Sequence, residues 1–177
     1  DRHFVPRGPY RLGWDGFWDA YDFHHEYYKA FSFRESREKL DTPGFEPDHQ
    51  TDLAIEFLES RAAGPAPFYL TVSYGTPHDP WTPNNTPADW MERFRNADFQ
   101  RPPNWSETPD PYMDRFANHV RALGATWRER MASYYAMTAN LDWNIGRLLD
   151  ALRRLGLERD TLVVFTSDHG EMHGSHG

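Results

Sequence analysis

Asp168 and His169 stand side by side in "TSDHGEMHGSHG" and are followed at once by Gly170. A carboxylate oxygen beside a neutral imidazole nitrogen suits Ca²⁺, Mn²⁺, Mg²⁺ or Zn²⁺ to different degrees, and the glycine permits a sharp backbone turn. On these residues alone a second reading stays open, in which Asp168 caps a following turn and His169 is simply exposed. His173 and His176 prolong the run of histidines and loosely imitate a helical zinc motif, but Gly170 and Gly174 disfavour a helix there. His78 is the other candidate. It lies between Pro77 and Pro80, which hold its backbone rigidly, as suits a group that must donate a hydrogen bond to an anion. The plainer reading of His78 is an exposed imidazole in a proline-rich turn.

These residues need elements that bring them together. "PFYLTVSYG", residues 67–75, is β-branched, aromatic and bounded by Pro and Gly, and predicts a buried strand that runs out into His78. "TLVVFTS", residues 161–167, predicts a second buried strand that runs out into Asp168 and His169. Between them, Met131, Tyr134, Thr138, Leu141, Ile145, Leu148, Leu149, Leu152 and Leu155 step by three and four, which predicts one long helix over 127–155. Gly156 is placed to end it, with Arg153 and Arg154 near the negative end of its dipole. Strand, crossover helix and strand make a right-handed parallel unit, and in such sheets ligands gather beyond the carboxyl ends of the strands. His78 and the Asp168–His169 pair are thereby expected on one side of one sheet.

The rest of the chain is less regular. Residues 1–47 are aromatic and punctuated by Gly and Pro, without sustained periodicity, and read as an irregular ring-packed segment preceding an α/β portion over 48–177. A helix is expected over 48–61, with Leu53, Ala54, Phe57 and Leu58 on one face and Asp48 able to cap its start. The Pro-rich stretch 76–111 carries one short helix around 88–94, and a connection of that length is usually functional or an excursion over the surface.

Composition narrows the classes. The 177 residues carry 19 Lys+Arg against 27 Asp+Glu, a net charge of −8 that argues against a nucleic-acid or anionic-membrane partner. Aromatics at 16% supply material for a core although only 38% of residues are hydrophobic. The absence of cysteine excludes disulfides, and no apolar run approaches the roughly 18 to 20 residues that span a bilayer.

"FYLTVSYGTPHDPW" followed by "YYAMTANLDWNIGRLLDALRRLGLERDTLVVFTSDHGEMHGSHG" resembles the sulfatase family of the alkaline-phosphatase-like superfamily. The opening "VPRGPYRLGWDGFWDAY" is similar to the segment those enzymes carry soon after their Gly-Lys-Trp-His motif. The resemblance implies an α/β fold, part of an alkaline-phosphatase-like parallel or mixed sheet flanked by helices. It implies that Asp168 and His169 ligate a divalent cation, Ca²⁺ first, with Mn²⁺ or Mg²⁺ as alternatives. His78 matches the histidine that contacts the sulfate and its ester oxygen, as both a catalytic and a substrate-binding residue. Asp142 and Gly146 match the helix pattern and read as structural, while His24, His25 and Trp81 read as packing or surface residues that could shape a pocket.

The implied reaction is hydrolysis of a small-molecule or carbohydrate sulfate ester, in which the hydrate of a formylglycine attacks sulfur and an alcohol or phenol leaves. The nucleophile motif Cys/Ser-x-Pro-x-Arg is absent, as are the paired early Asp ligands and the Lys-x-His pair of the family. The chain is therefore expected to be an internal piece of a sulfatase catalytic domain, inactive alone. The alternatives are a phosphonate or phosphodiester hydrolase on the same scaffold, a non-catalytic binding module, and a zinc module built on the three terminal histidines.

Overall fold

The computed structural model describes residues 4–14, 16–21, 23–106 and 126–175. Two helices dominate it. α1 spans Glu46–Ala62 and α3 spans Trp127–Arg154, with the short α2, Ala88–Glu92, between them. A two-stranded antiparallel sheet, β1 (Phe31–Ser32) and β2 (Leu40–Asp41), lies ahead of α1 and pairs Phe31 with Asp41 and Ser32 with Leu40. That small ladder falls inside the aromatic segment expected to be irregular. An isolated bridge between Ala20 and Phe33 extends it.

The two expected strands are a correction. Neither 67–75 nor 161–167 forms a hydrogen-bonded strand, and the described residues hold no parallel strand–helix–strand unit. Burial alternates along Phe68, Tyr69, Leu70, Thr71, Val72 and Ser73, the period-two signature of a strand with one face packed. Phe68 and Leu70 sit against the cluster of Leu58, Ala151 and Leu152. The second segment was expected to be buried and is open instead: Leu162 is 89% exposed, with Val164 and Phe165 also exposed. A parallel strand is buried only when neighbouring strands satisfy its backbone and helices cover both faces, and among the described residues no strand pairs with 161–167.

The helices follow the sequence more closely. α1 begins at Glu46 rather than at Asp48 because Pro47 sits in its first turn, where a missing N–H costs nothing. Phe45 occupies the cap position with no side-chain cap, so Asp48 is released for another task. Its Oδ1 accepts hydrogen bonds from Nδ2 of Asn140 (2.9 Å) and of Asn144 (2.8 Å), one turn apart on α3. Both asparagines are completely buried. The seam between α1 and α3 is therefore partly polar, and Leu141, Ile145, Leu148 and Leu149 of the aliphatic stripe are only half-buried. Arg147 closes this network with bonds to Asn144 Oδ1 (3.0 Å) and to the Asp52 carboxylate.

α3 stops where expected. Gly156 is left-handed (φ +72°), its N–H donates to the Arg153 carbonyl, and the Leu157 N–H reaches back to the Leu152 carbonyl (2.9 Å). This double closure satisfies carbonyls that the last turn would otherwise orphan. At the other end of the molecule, Tyr27, Phe45, Trp81 and Met137 form a second core cluster, with Tyr134 packed against it. Tyr27 and Phe45 belong to the aromatic segment, so that segment shares its core with α3.

Candidate functional site

The loop that carries His78 is tied down from below. Tyr27 is fully buried, and its hydroxyl lies 2.9 Å from the Gly75 carbonyl and 3.1 Å from the His78 carbonyl. Asn85 performs a second fastening. Its Nδ2 donates to the carbonyls of His25 (2.8 Å) and Pro80 (3.2 Å), and its Oδ1 accepts from the Tyr27 N–H (2.7 Å). Trp81 is buried and donates from Nε1 to the Pro77 carbonyl (2.7 Å). Gly75 is required for close approach: a Cβ there would lie 3.0 Å from Tyr27 Cε1 and 3.3 Å from the Tyr21 hydroxyl.

Within this frame His78 is half-buried. Its Nδ1 lies 3.0 Å from the Asp79 carbonyl and 2.9 Å from Asp79 Oδ1. Both partners can only accept, so Nδ1 carries the proton and Nε2 is the nitrogen left for a ligand. The His25 ring lies flat on the His78 ring, with centroids 4.1 Å apart and planes 12° apart. Burial is the main cause, and the neighbouring His78 a further one, of a His25 pKa below the usual histidine value.

His169 comes to the same place from the far end of the chain. Its ring centroid is 6.1 Å from that of His78, edge to face at 75°. His169 Nδ1 lies 3.1 Å from the Gly170 carbonyl, which again makes Nδ1 the donor and leaves Nε2 with its lone pair. Asp168 Oδ1 accepts the His169 N–H (2.9 Å), and Asp168 Oδ2 lies 3.7 Å from His169 Nε2. The bond to the Gly170 carbonyl and the Asp168 carboxylate raise the His169 pKa. Glu171, which the sequence did not single out, belongs to the same electrostatic neighbourhood. Burial raises its carboxyl pKa, while His78 and His169 pull it back down.

As a cation site this is one edge. Asp168 Oδ2 and His169 Nε2 offer an oxygen and a nitrogen with free lone pairs, a fitting start for a divalent ion. Among the described residues no three His, Asp or Glu side chains converge to complete a shell. His173 plays a different part from the one its spacing suggested. Its ring is enclosed by Tyr134 (4.3 Å), Trp81 (4.8 Å) and Trp127 (6.4 Å), and burial lowers its pKa. His176 lies outside the described residues. His24 stacks on Tyr21 at 3.8 Å and packs below the site, whereas His25 faces it. A cleft of about 500 Å³ lies elsewhere, lined by Met91, Arg95, Phe99, Arg128 and their neighbours, and touches none of His78, Asp168 or His169.

Known proteins give this arrangement a setting. The family model described as Sulfatase matches residues 7–177. The iduronate 2-sulfatase of Homo sapiens is 35% identical over 159 residues, a stretch covering 78% of this chain and 28% of that protein. The ulvan-active sulfatase of Formosa agariphila is 31% identical over 166 residues, covering 93% of this chain and 29% of that protein. Among solved structures, a putative sulfatase from Bacteroides fragilis superimposes with a TM-score of 0.77 at 26% identity, covering 98% of this chain and 36% of that one. The chain thus spans under a third of the length of these two curated relatives. Solved sulfatases have the alkaline-phosphatase-like α/β fold, of which the described residues here contribute helices and one small sheet.

Proposed function

The chain belongs to the sulfatase family, and from that premise we propose that it forms part of the active site of a sulfuric ester hydrolase. The observation that carries this is the meeting of His78 with the Asp168–His169 pair, from segments far apart in sequence. His78 is the group that contacts the ester. With the Nδ1 proton held by Asp79, Nε2 is the atom that meets the bridging oxygen. In the imidazolium form it carries a second proton and passes it to that oxygen as the S–O bond breaks, leaving the neutral ring protonated at Nδ1. Asp168 and His169 are two ligands of a divalent cation, Ca²⁺ first, with Mn²⁺ or Mg²⁺ as alternatives. Bound there, such an ion would polarise sulfate oxygens and stabilise the charge that develops on them.

The attacking nucleophile is not among these residues. The chain has no cysteine and no Cys/Ser-x-Pro-x-Arg motif, so a formylglycine would have to be contributed by sequence beyond the 177 residues. The 177-residue chain alone is expected to show no turnover of an aryl sulfate. The substrate class is a small-molecule or carbohydrate sulfate ester, and the names of the relatives, iduronate 2-sulfatase and ulvan-active sulfatase, favour a carbohydrate.

The test compares paired aryl sulfate and aryl phosphate esters with the full-length protein. Sulfate ester turnover that disappears with a chelator, returns with Ca²⁺, and falls by about two orders of magnitude or more in His78→Ala supports the reading. A clear preference for phosphate or phosphonate esters would transfer the protein to the phosphonate and phosphodiester hydrolases of the same superfamily. Turnover of neither ester would favour a binding module.

A further inference from the structure

We propose that His25 is a positioning residue for His78: the stacked ring fixes the plane in which His78 presents Nε2 to the ester. This rests on the reading of His78 as the group that meets the ester oxygen. The two contacts at His78 Nδ1 restrain that ring at one atom and leave it free to rock about the line through the contact. A parallel ring at 4.1 Å limits that freedom, because rocking tilts one edge of His78 into the neighbouring ring. His25 also meets the largely exposed Phe23 at right angles, with centroids 4.8 Å apart and planes at 80°. Both rings also hang from one frame. Asn85 binds the His25 carbonyl and the Pro80 carbonyl, and the Tyr27 hydroxyl meets the carbonyls of Gly75 and His78. The stack therefore has a fixed spacing built in from the backbone outward.

A flat, largely shielded ring is what this task needs. Aromatic stacking is tolerant of chemistry and strict about plane, so a phenyl ring should substitute for the imidazole while a methyl group should not. This separates a positioning role from direct contact with the substrate, for which the ring nitrogens would be needed.

The experiment compares His25→Ala and His25→Phe in the full-length protein with an aryl sulfate. His25→Ala should lower kcat about tenfold to a hundredfold with KM little changed, as expected when a reacting group is displaced by around an ångström. His25→Phe should recover most of that loss. The Cε1–H resonance of His78, followed in ¹³C-histidine-labelled protein, should carry a ring-current shift in wild type and His25→Phe that vanishes in His25→Ala. The proposal is overturned if His25→Ala keeps its kcat, or if His25→Phe is as slow as His25→Ala while its Tm and its His78 resonance match wild type. The second outcome would assign His25 to the substrate itself. Wild-type protein that turns over no sulfate ester sinks the sulfatase reading instead. In that case an unshifted His78 resonance in His25→Ala overturns the stack, and a shifted one upholds it.

Discussion

Replacing Glu46 with Gln should make the protein more stable at alkaline pH and leave it nearly unchanged at acid pH. Glu46 opens α1 and is only 2% exposed, with Oε2 buried and unpartnered. Its nearest polar neighbours are Gln50 Nε2 at 3.5 Å and His24 Nε2 at 3.8 Å, together with the Tyr21 hydroxyl. Burial pushes the carboxyl up from 4.5 to about 7, against the opposing effect of the Tyr21 hydrogen bond. A folded-state pKa above the unfolded value means that the folded state holds the proton more tightly. The stabilisation is therefore complete below pH 4.5 and is lost as pH rises through about 7. A displacement of that size corresponds to about 3 kcal/mol between the two limits. Glutamine mimics the protonated acid at every pH and abolishes this loss. His24 has its pKa lowered by burial and acts in the opposite sense, losing stability on acidification. It lies 3.8 Å from Glu46, but at the two ends of the pH range at most one of the pair is charged, so its effect cancels in the difference between those ends. Urea unfolding of wild type and Glu46→Gln from pH 4 to pH 8.5 measures the gap directly. The gap should widen by about 3 kcal/mol across that range. A gap that stays flat would refute the claim that Glu46 is buried and protonated.

Tyr27→Phe removes the hydroxyl shared by the Gly75 and His78 carbonyls, and should cost about 1 to 3 kcal/mol in urea unfolding and lower turnover through His78. Asp48→Ala removes the acceptor of two fully buried asparagines, stranding Asn140 Nδ2 while Asn144 Nδ2 keeps its bonds to Asn140, and should destabilise by about 1 to 3 kcal/mol, with Asp48→Asn recovering part of it. Gly174→Ala would put a Cβ 2.3 Å from Trp105 Cζ3 at a backbone φ of +81°, so a loss of roughly 2 to 5 kcal/mol and a shifted Trp fluorescence spectrum are expected.

The helices were legible because their signals are local. Apolar spacing, Gly156 and the paired arginines predicted α3 to within a residue at its C-terminal end, since a helix satisfies its backbone within its own segment. The same periodicity placed only part of the seam: Met131 and Leu152 are buried, and Leu148 and Leu149 pack against the cluster of Leu58, Ala151 and Leu152. Leu141 and Ile145 are half-open, and the buried face there passes through Asn140 and Asn144, because Asp48 on α1 supplies the acceptor that makes polar burial affordable. Nothing in α3 alone announces that partner. The strands were misjudged for a related reason: "TLVVFTS" has strand composition, but a strand is completed by neighbours, and none pairs with it among the described residues.

By itself the sequence determined the membership, the two helices and the residue types from which a sulfate ester site can be built. His78 and the Asp168–His169 pair carried that information because chemical identity and a family pattern are written residue by residue. Which rings stand beside them was decided only in three dimensions. His25, read as packing or surface, lies on His78 because Asn85 and Tyr27 draw two distant loops together, and His173, whose glycine neighbours already counted against a zinc motif, is enclosed by Trp81, Trp127 and Tyr134. An imidazole reads the same in a sequence whether it stacks, ligates or packs, and only the atoms brought against it by the rest of the chain separate those roles.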